Sequence, residues 1–186
     1  MASYDDELLE AAQLLIQRPR GKRGRLPTAR IRRSLSTSYY ALFHFLLGEV
    51  GTRIVGAPND LRRRRRVLAR TLTHSGIKTA LDKVRTAIAE PSVADLLRSA
   101  AAGADEAPVP LFVQNLAKAF SDAQAKRHDA DYNLNESLSE TDAKVLQNRV
   151  RRVISGWRSA TTKSDRDFKH ALCILLLLKG QLRRDN

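Results

Sequence analysis

Leu35-Ser36-Thr37-Ser38-Tyr39-Tyr40-Ala41-Leu42-Phe43-His44-Phe45-Leu46-Leu47 is the stretch that decides the fold. Leu35, Tyr39, Leu42 and Leu46 recur at steps of four, three and four, which sets them on one face of a helix. Phe43, Phe45 and Leu47 widen that stripe until most of the circumference is apolar, the pattern of a helix buried on most sides. The spacing predicts a long helix over 28–50. Gly48, Gly51 and Gly56 loosen its end, and Pro58-Asn59 marks a break.

Outward from that helix the same period repeats. On the N-terminal side Ser3 and Asp6 have the spacing of a capping box, and Leu8, Leu9, Ala12, Leu15 and Ile16 follow on one face. This first helix is expected to end near Gln17, before a basic loop over 18–27. On the C-terminal side a helix is expected to start near Asp60 and carry Arg62 to Arg66, Val67, Leu68 and Leu72. His74-Ser75-Gly76 reads as its stop. Ile77, Leu81, Val84 and Ile88 resume the period until Pro91, a short helix is expected over 93–101, and a loop over 103–110. Phe112, Leu116, Ala119, Phe120 and Ala123 then lead into Arg127-His128-Asp129-Ala130-Asp131-Tyr132. Ser139 with Asp142 can cap a helix striped by Leu146, Val150, Val153 and Trp157. Ser164 with Asp167 can cap a last helix over 164–179, stopped by Gly180. No strand-like alternation, hairpin signal or internal repeat interrupts this. The expectation is an all-α, up-and-down antiparallel bundle of five to seven helices, with 1–186 as a single domain.

Lys and Arg number 33 against 20 Asp and Glu, a formal charge of +13. Such an excess opposes compaction and attracts polyanions: RNA, DNA, an anionic membrane surface or an acidic protein. The dispersed arginines and the lack of a strongly amphipathic terminal helix disfavour the membrane surface. The one cysteine, Cys173, excludes an intrachain disulfide. It sits in the run Ala171 to Leu178, where a buried structural thiol is expected. That run is shorter than the ~20 apolar residues that span a bilayer, and the acidic start Tyr4-Asp5-Asp6-Glu7 lacks a signal core. No membrane partner and a cytoplasmic location are expected.

The search for standard catalytic chemistry is mostly negative. His44, His74, His128 and His170 include no pair at metal-ligand spacing, and no cysteine pair exists, so neither metal nor cofactor is expected. There is no Gly-rich phosphate loop and no nucleophile elbow. What remains are charge and polar patterns. Arg62, Arg63, Arg64, Arg65 and Arg66 are consecutive. On a helix they point all around the axis, so one of them belongs at the core boundary with its stem packed. The others form either a solvated helix start or a phosphate-contacting patch, with Arg23 and Arg25 of the 18–27 loop. Arg149, Arg151, Arg152 and Arg158 read as a solvated face. Arg33, Thr37, Tyr40 and His44 fall on one face at steps of four, three and four. They make either a buried polar network or the wall of a site, since packed polar groups need partners. Arg127 and Asp131 are spaced to pair at i,i+4, as are His128 and Tyr132. That is either a salt-bridged helix end or part of a site.

Two of these segments together carry a resemblance. Ser36-Thr37-Ser38-Tyr39-Tyr40-Ala41-Leu42-Phe43-His44 is similar to the early Tyr-Tyr-Ala-x-x-His helix of the HEPN superfamily (higher eukaryotes and prokaryotes nucleotide-binding domains). Arg127 through Tyr132 is similar to its later Arg-x-x-Ala-Asp-Tyr signature, and Arg70-Thr71-Leu72-Thr73-His74-Ser75-Gly76 resembles a segment of a bacterial branch. The resemblance spans roughly residues 28–160. It implies a module that binds RNA, with either metal-independent endoribonuclease activity or a non-enzymatic interaction role. It also implies a homodimer that joins two such motifs in one cleft, and an antitoxin or phage-defence partner protein. By that resemblance Arg127, His128, Asp131 and Tyr132 are the candidate catalytic residues, with Tyr40 and His44 as a site wall. The family's catalytic motif is an Arg, four to six variable residues and a His. Here Tyr132 stands at the His position, and with a reference pKa of about 10 tyrosine is a poor general base at neutral pH.

Overall fold

A computed structural model describes residues 3–18, 21, 24–85 and 109–179. Among them are seven α-helices and no strand: α1 (Tyr4–Ile16), α2 (Thr28–Val55), α3 (Arg62–Ala69), α4 (His74–Arg85), α5 (Leu111–Tyr132), α6 (Glu140–Ser159) and α7 (Lys163–Leu177). A 3-10 turn, Asn59–Leu61, precedes α3. The all-helical bundle read from the sequence is the observed fold. The short helix expected over 93–101, most of the 103–110 loop, Arg23 and Gly180 lie outside the described residues.

The chain forms two compact units, Met1–Phe45 with Ala119–Ser155, and Leu46–Lys118 with Gly156–Asn186. In the first unit the helix order is readable from cross-helix contacts. Arg30 donates to the Gln17 carbonyl, Ser34 to that of Ala12, and the His44 ring meets Tyr4. One number rises as the other falls, so α1 and α2 are antiparallel. Ser36 meets Asp131 and Tyr40 meets Arg127, so α2 and α5 are antiparallel too. The core here is Leu9, Ala12, Leu35, Tyr39, Leu42, Phe120, Leu146 and Val150, all buried. The serines of α2 allow close approach: Ser34 bonds across to α1, while Ser38 returns its hydroxyl to the Ser34 carbonyl. Gln147 is buried and donates to the Leu9 carbonyl, which satisfies its amide.

In the second unit Val50, Ile77, Leu81, Leu116, Trp157, Leu172 and Leu175 are buried, and α4 packs on α7. Cys173 is buried as expected, and burial pushes its thiol up from 9.0 to about 12. A raised folded value means that the proton is held more tightly in the folded chain. The linked stability is therefore complete below pH 9 and is lost as pH climbs toward 12. Denaturant midpoints compared at about pH 8 and about pH 10 should fall more steeply for the wild type than for Cys173→Ala. Equal slopes would contradict the shift. Burial also raises Tyr39 above its ordinary 10.0, so the Cys173→Ala comparison is what isolates the thiol.

Several element boundaries differ from expectation, each for a local reason. α2 continues past Gly48 and Gly51 to Val55, because Gly51 is buried against the aliphatic stem of Arg65. It stops at Gly56, whose φ of 108° suits glycine. His74-Ser75-Gly76 begins α4 rather than ending a helix. The Thr73 hydroxyl accepts the Gly76 N–H at 3.1 Å, and the break falls at 70–73. Ser3 does not close a capping box: its hydroxyl donates to Asp6 at 2.6 Å and accepts no backbone N–H. Ser139 and Asp142 do close one, with bonds of 2.9 and 3.0 Å. The box on α7 uses Thr162 and Asp165, two residues ahead of the expected Ser164 and Asp167.

Candidate nucleic-acid site

The last turn of α5 is where the two resembling segments meet. A helix ends with four carbonyls that have no partner inside it. Here one side chain of α2 takes up two of them, together with three carbonyls of the turn that follows. Arg32 donates to the carbonyls of Asp129 (3.0 Å), Ala130 (3.1 Å), Asn133 (3.1 Å), Leu134 (3.3 Å) and Glu136 (2.8 Å). A cation at a helix C-terminus also complements the negative end of the dipole. The turn that presents Arg127 to Tyr132 is thereby tied to α2.

One turn along α2, the Ser36 hydroxyl donates to Asp131 Oδ1 at 2.5 Å. Asp131 Oδ2 lies 2.7 Å from Arg127 Nε, an ion contact off the line of the N–H bond. The next turn brings Tyr40. Its hydroxyl accepts from one terminal nitrogen of Arg127 at 3.1 Å, and the Tyr132 hydroxyl accepts from the same nitrogen at 3.3 Å. The guanidinium carbon lies 5.7 Å from the Tyr40 ring centre and 5.2 Å from that of Tyr132, within cation–π range. Burial works against the charge of Arg127, but Tyr40, Asp131 and Tyr132 outweigh it and hold its pKa above the ordinary value. Arg127 is a permanent cation in a cage of two phenols and one carboxylate.

Tyr40, Arg127, Asp131 and Tyr132 thus come together. His128 is exposed, with its ring 5.3 Å from that of Tyr132. His44 packs elsewhere on the same unit, 4.9 Å from the Tyr4 ring and 5.6 Å from Phe43. Burial lowers its pKa, opposed by Asp5. No described interaction joins His44 to Arg127. Arg33 is exposed, and the Thr37 hydroxyl is turned back onto the Arg33 carbonyl. The sequence patterns did not single out Arg32 and Ser36. Their signal is the Arg32, Ser36, Tyr40 spacing of four and four, a stripe that overlaps the one of Arg33, Thr37 and Tyr40.

On α3 the arginines divide. Arg65 turns inward and donates to the carbonyls of Gly56 at 2.6 Å and Pro58 at 2.8 Å. It is the one with the packed stem. Arg62, Arg63, Arg64 and Arg66 are exposed, with no carboxylate in salt-bridge range among the described residues. Arg25 is exposed as well. By contrast Arg149 pairs with Asp122, and Arg151 bonds Gln13.

A second buried polar group lies in the other unit, and nothing in the spacing pointed to it. Glu49 Oε2 accepts the indole N–H of Trp157 at 2.6 Å and Arg53 Nε at 2.9 Å. Lys169 is 3% exposed. Its ammonium donates to the Ala160 carbonyl and sits 5.3 Å from the Trp157 ring and 5.6 Å from Phe112. Burial, and then Arg53, lower its pKa, with Glu49 and Asp165 opposing.

Among the described residues no group of three metal-ligating side chains converges, and no helix is long and apolar enough to cross a membrane. Comparison with family models, characterised proteins and solved structures finds no match.

Proposed function

We propose that this chain is a HEPN-like RNA-binding module of the cytoplasm, working as a homodimer, with a partner protein of the antitoxin or phage-defence kind. The observation that carries the binding is the set of exposed α3 arginines, Arg62, Arg63, Arg64 and Arg66, with no acidic neighbour in pairing range among the described residues. Each can replace a counterion on a phosphate, and the planar guanidinium suits a phosphate's two oxygens. The Arg127 group adds a donor site, because its second terminal nitrogen has no described partner.

A cleaving reading is favoured by one detail, the exposed His128 beside Tyr132. In that reading His128 takes the proton of a ribose 2′-hydroxyl. The 2′-oxygen bonds to phosphorus, the bond to the 5′-oxygen breaks with that oxygen taking a proton from water, a 2′,3′-cyclic phosphate and a 5′-hydroxyl result, and Arg127 steadies the charge on the phosphorane. DNA, lacking the 2′-hydroxyl, would be spared.

Labelled RNA incubated with the pure protein in EDTA separates the readings. Metal-free cleavage supports the nuclease, binding alone supports the binding module, and neither refutes both. Replacing Arg62, Arg63, Arg64 and Arg66 with alanine should weaken binding. It should also flatten the plot of log affinity against log salt, by about 0.7 for each phosphate of a single strand that an arginine no longer neutralises. An unchanged slope would remove α3 from the binding face. Arg65→Ala belongs in a separate variant, since its two bonds to the Gly56–Pro58 turn make it structural.

A further inference from the structure

Asp131 is held from both sides. Ser36 fixes one oxygen at 2.5 Å and Arg127 Nε contacts the other at 2.7 Å. The two charged side chains are 24% and 20% exposed, so they interact through a medium less screening than water. The guanidinium's formal charge is therefore already answered inside the protein. We propose that Asp131 is a built-in counter-ion that cancels Arg127, so that this group grips an RNA phosphate through hydrogen-bond donors and not through net charge.

This inference rests on the RNA-binding reading and refines it. A guanidinium has five N–H donors. The Nε lies beside Asp131 as an ion contact without an aligned hydrogen bond, and one terminal nitrogen serves Tyr40 and Tyr132, which leaves the other terminal nitrogen. The Tyr132 oxygen accepts from Arg127, so its own hydrogen remains to be donated. Tyr132 is 64% exposed, which opens that hydroxyl to solvent. The remaining guanidinium nitrogen and the Tyr132 hydroxyl are two donors that a phosphodiester can engage at once. The pair's net charge is zero, so no counterion need leave the RNA when it docks there. The α3 arginines are the opposite case, cations without a described carboxylate, whose binding is counterion release. One surface supplies affinity that fades with salt, and the Arg127 group supplies hydrogen bonds that do not.

The test measures affinity against salt for a single-stranded RNA of roughly 12 nucleotides. Asp131→Asn keeps the shape and removes the charge. It should tighten binding on the order of tenfold at low salt and steepen the salt slope by about 0.7. The double variant Arg127→Ala with Asp131→Ala should bind more weakly with the wild-type slope. If Asp131→Asn changes neither affinity nor slope, the counter-ion role is overturned. A double variant that is weaker and flatter by about 0.7 also overturns it, while leaving Arg127 as an RNA ligand. If instead the double variant binds as tightly as the wild type, Arg127 does not touch RNA and the reading beneath the inference fails. Thermal melts of both variants check that the fold is kept.

Discussion

Trp157→Ala should cost about 3–5 kcal/mol in folding free energy, as buried tryptophan truncations do. The indole is 1% exposed. Its loss removes the T-shaped packing on Phe112 at 5.7 Å and opens a cavity beside the Lys169 ammonium, which the ring faces at 5.3 Å. It also deprives Glu49 of its 2.6 Å donor, leaving the carboxylate to Arg53. Buried or half-buried charges that lose partners add to the cavity cost. Trp157→Phe keeps a six-membered ring and removes the pyrrole part with its N–H, so it leaves a smaller cavity and its cost should be lower, about 1–3 kcal/mol. Chemical denaturation monitored by circular dichroism gives both numbers. An alanine variant within about 1 kcal/mol of the wild type would show that this polar group is not a keystone of its unit.

What was legible in the sequence follows what periodicity can report. The step of 3.6 says which face of a helix is apolar, so Leu35, Tyr39, Leu42 and Leu46 stand out as core and are buried. Local chemistry was legible for the same reason. Ser139 and Asp142 are three residues apart, as a capping box needs, and five arginines in a row must send at least one inward, which Arg65 does. Partners far apart in sequence carry no such mark. Arg32 reaches carbonyls about a hundred positions away, and Glu49 meets Trp157 across 108. In each case spacing named neither partner. Lys169 was hidden differently: a lysine three residues past Arg166 looks like part of a solvated helix start, yet it is buried under two aromatic rings. Caps were misjudged where two stood close together, since Thr162 and Ser164 each have an aspartate three residues on. Thr162 is the one whose hydroxyl and Asp165 close the reciprocal bonds.

Arg127→Ala should lower any metal-free ribonuclease activity at least about a hundredfold, the usual scale for losing a donor to a developing oxyanion. The same change should weaken RNA binding in a chain that only binds. The fold should survive, because the rest of the turn is anchored independently by Arg32 on its carbonyls. Arg127→Lys is the sharper comparison. Lysine keeps the charge but is a point donor on a flexible stem, so it cannot reach Asp131 and two phenols while offering a further nitrogen outward. If hydrogen-bond geometry is what matters, Arg127→Lys should behave nearly as badly as Arg127→Ala. A lysine variant with most of the wild-type affinity would assign the site to charge alone. Full activity in the alanine variant would refute the assigned role altogether. The proposed homodimer has its own check. One chain brings a single Arg127 to the ligand, whereas a two-fold interface would set two copies in one cleft. Light scattering at tens of micromolar should then return twice the 20.8 kDa chain mass. Mixing Arg127→Ala chains with an excess of wild type should restore activity less than the wild-type fraction predicts, because mixed dimers hold an incomplete cleft. Activity that tracks the wild-type fraction linearly, or a strict monomer, would make each chain its own site.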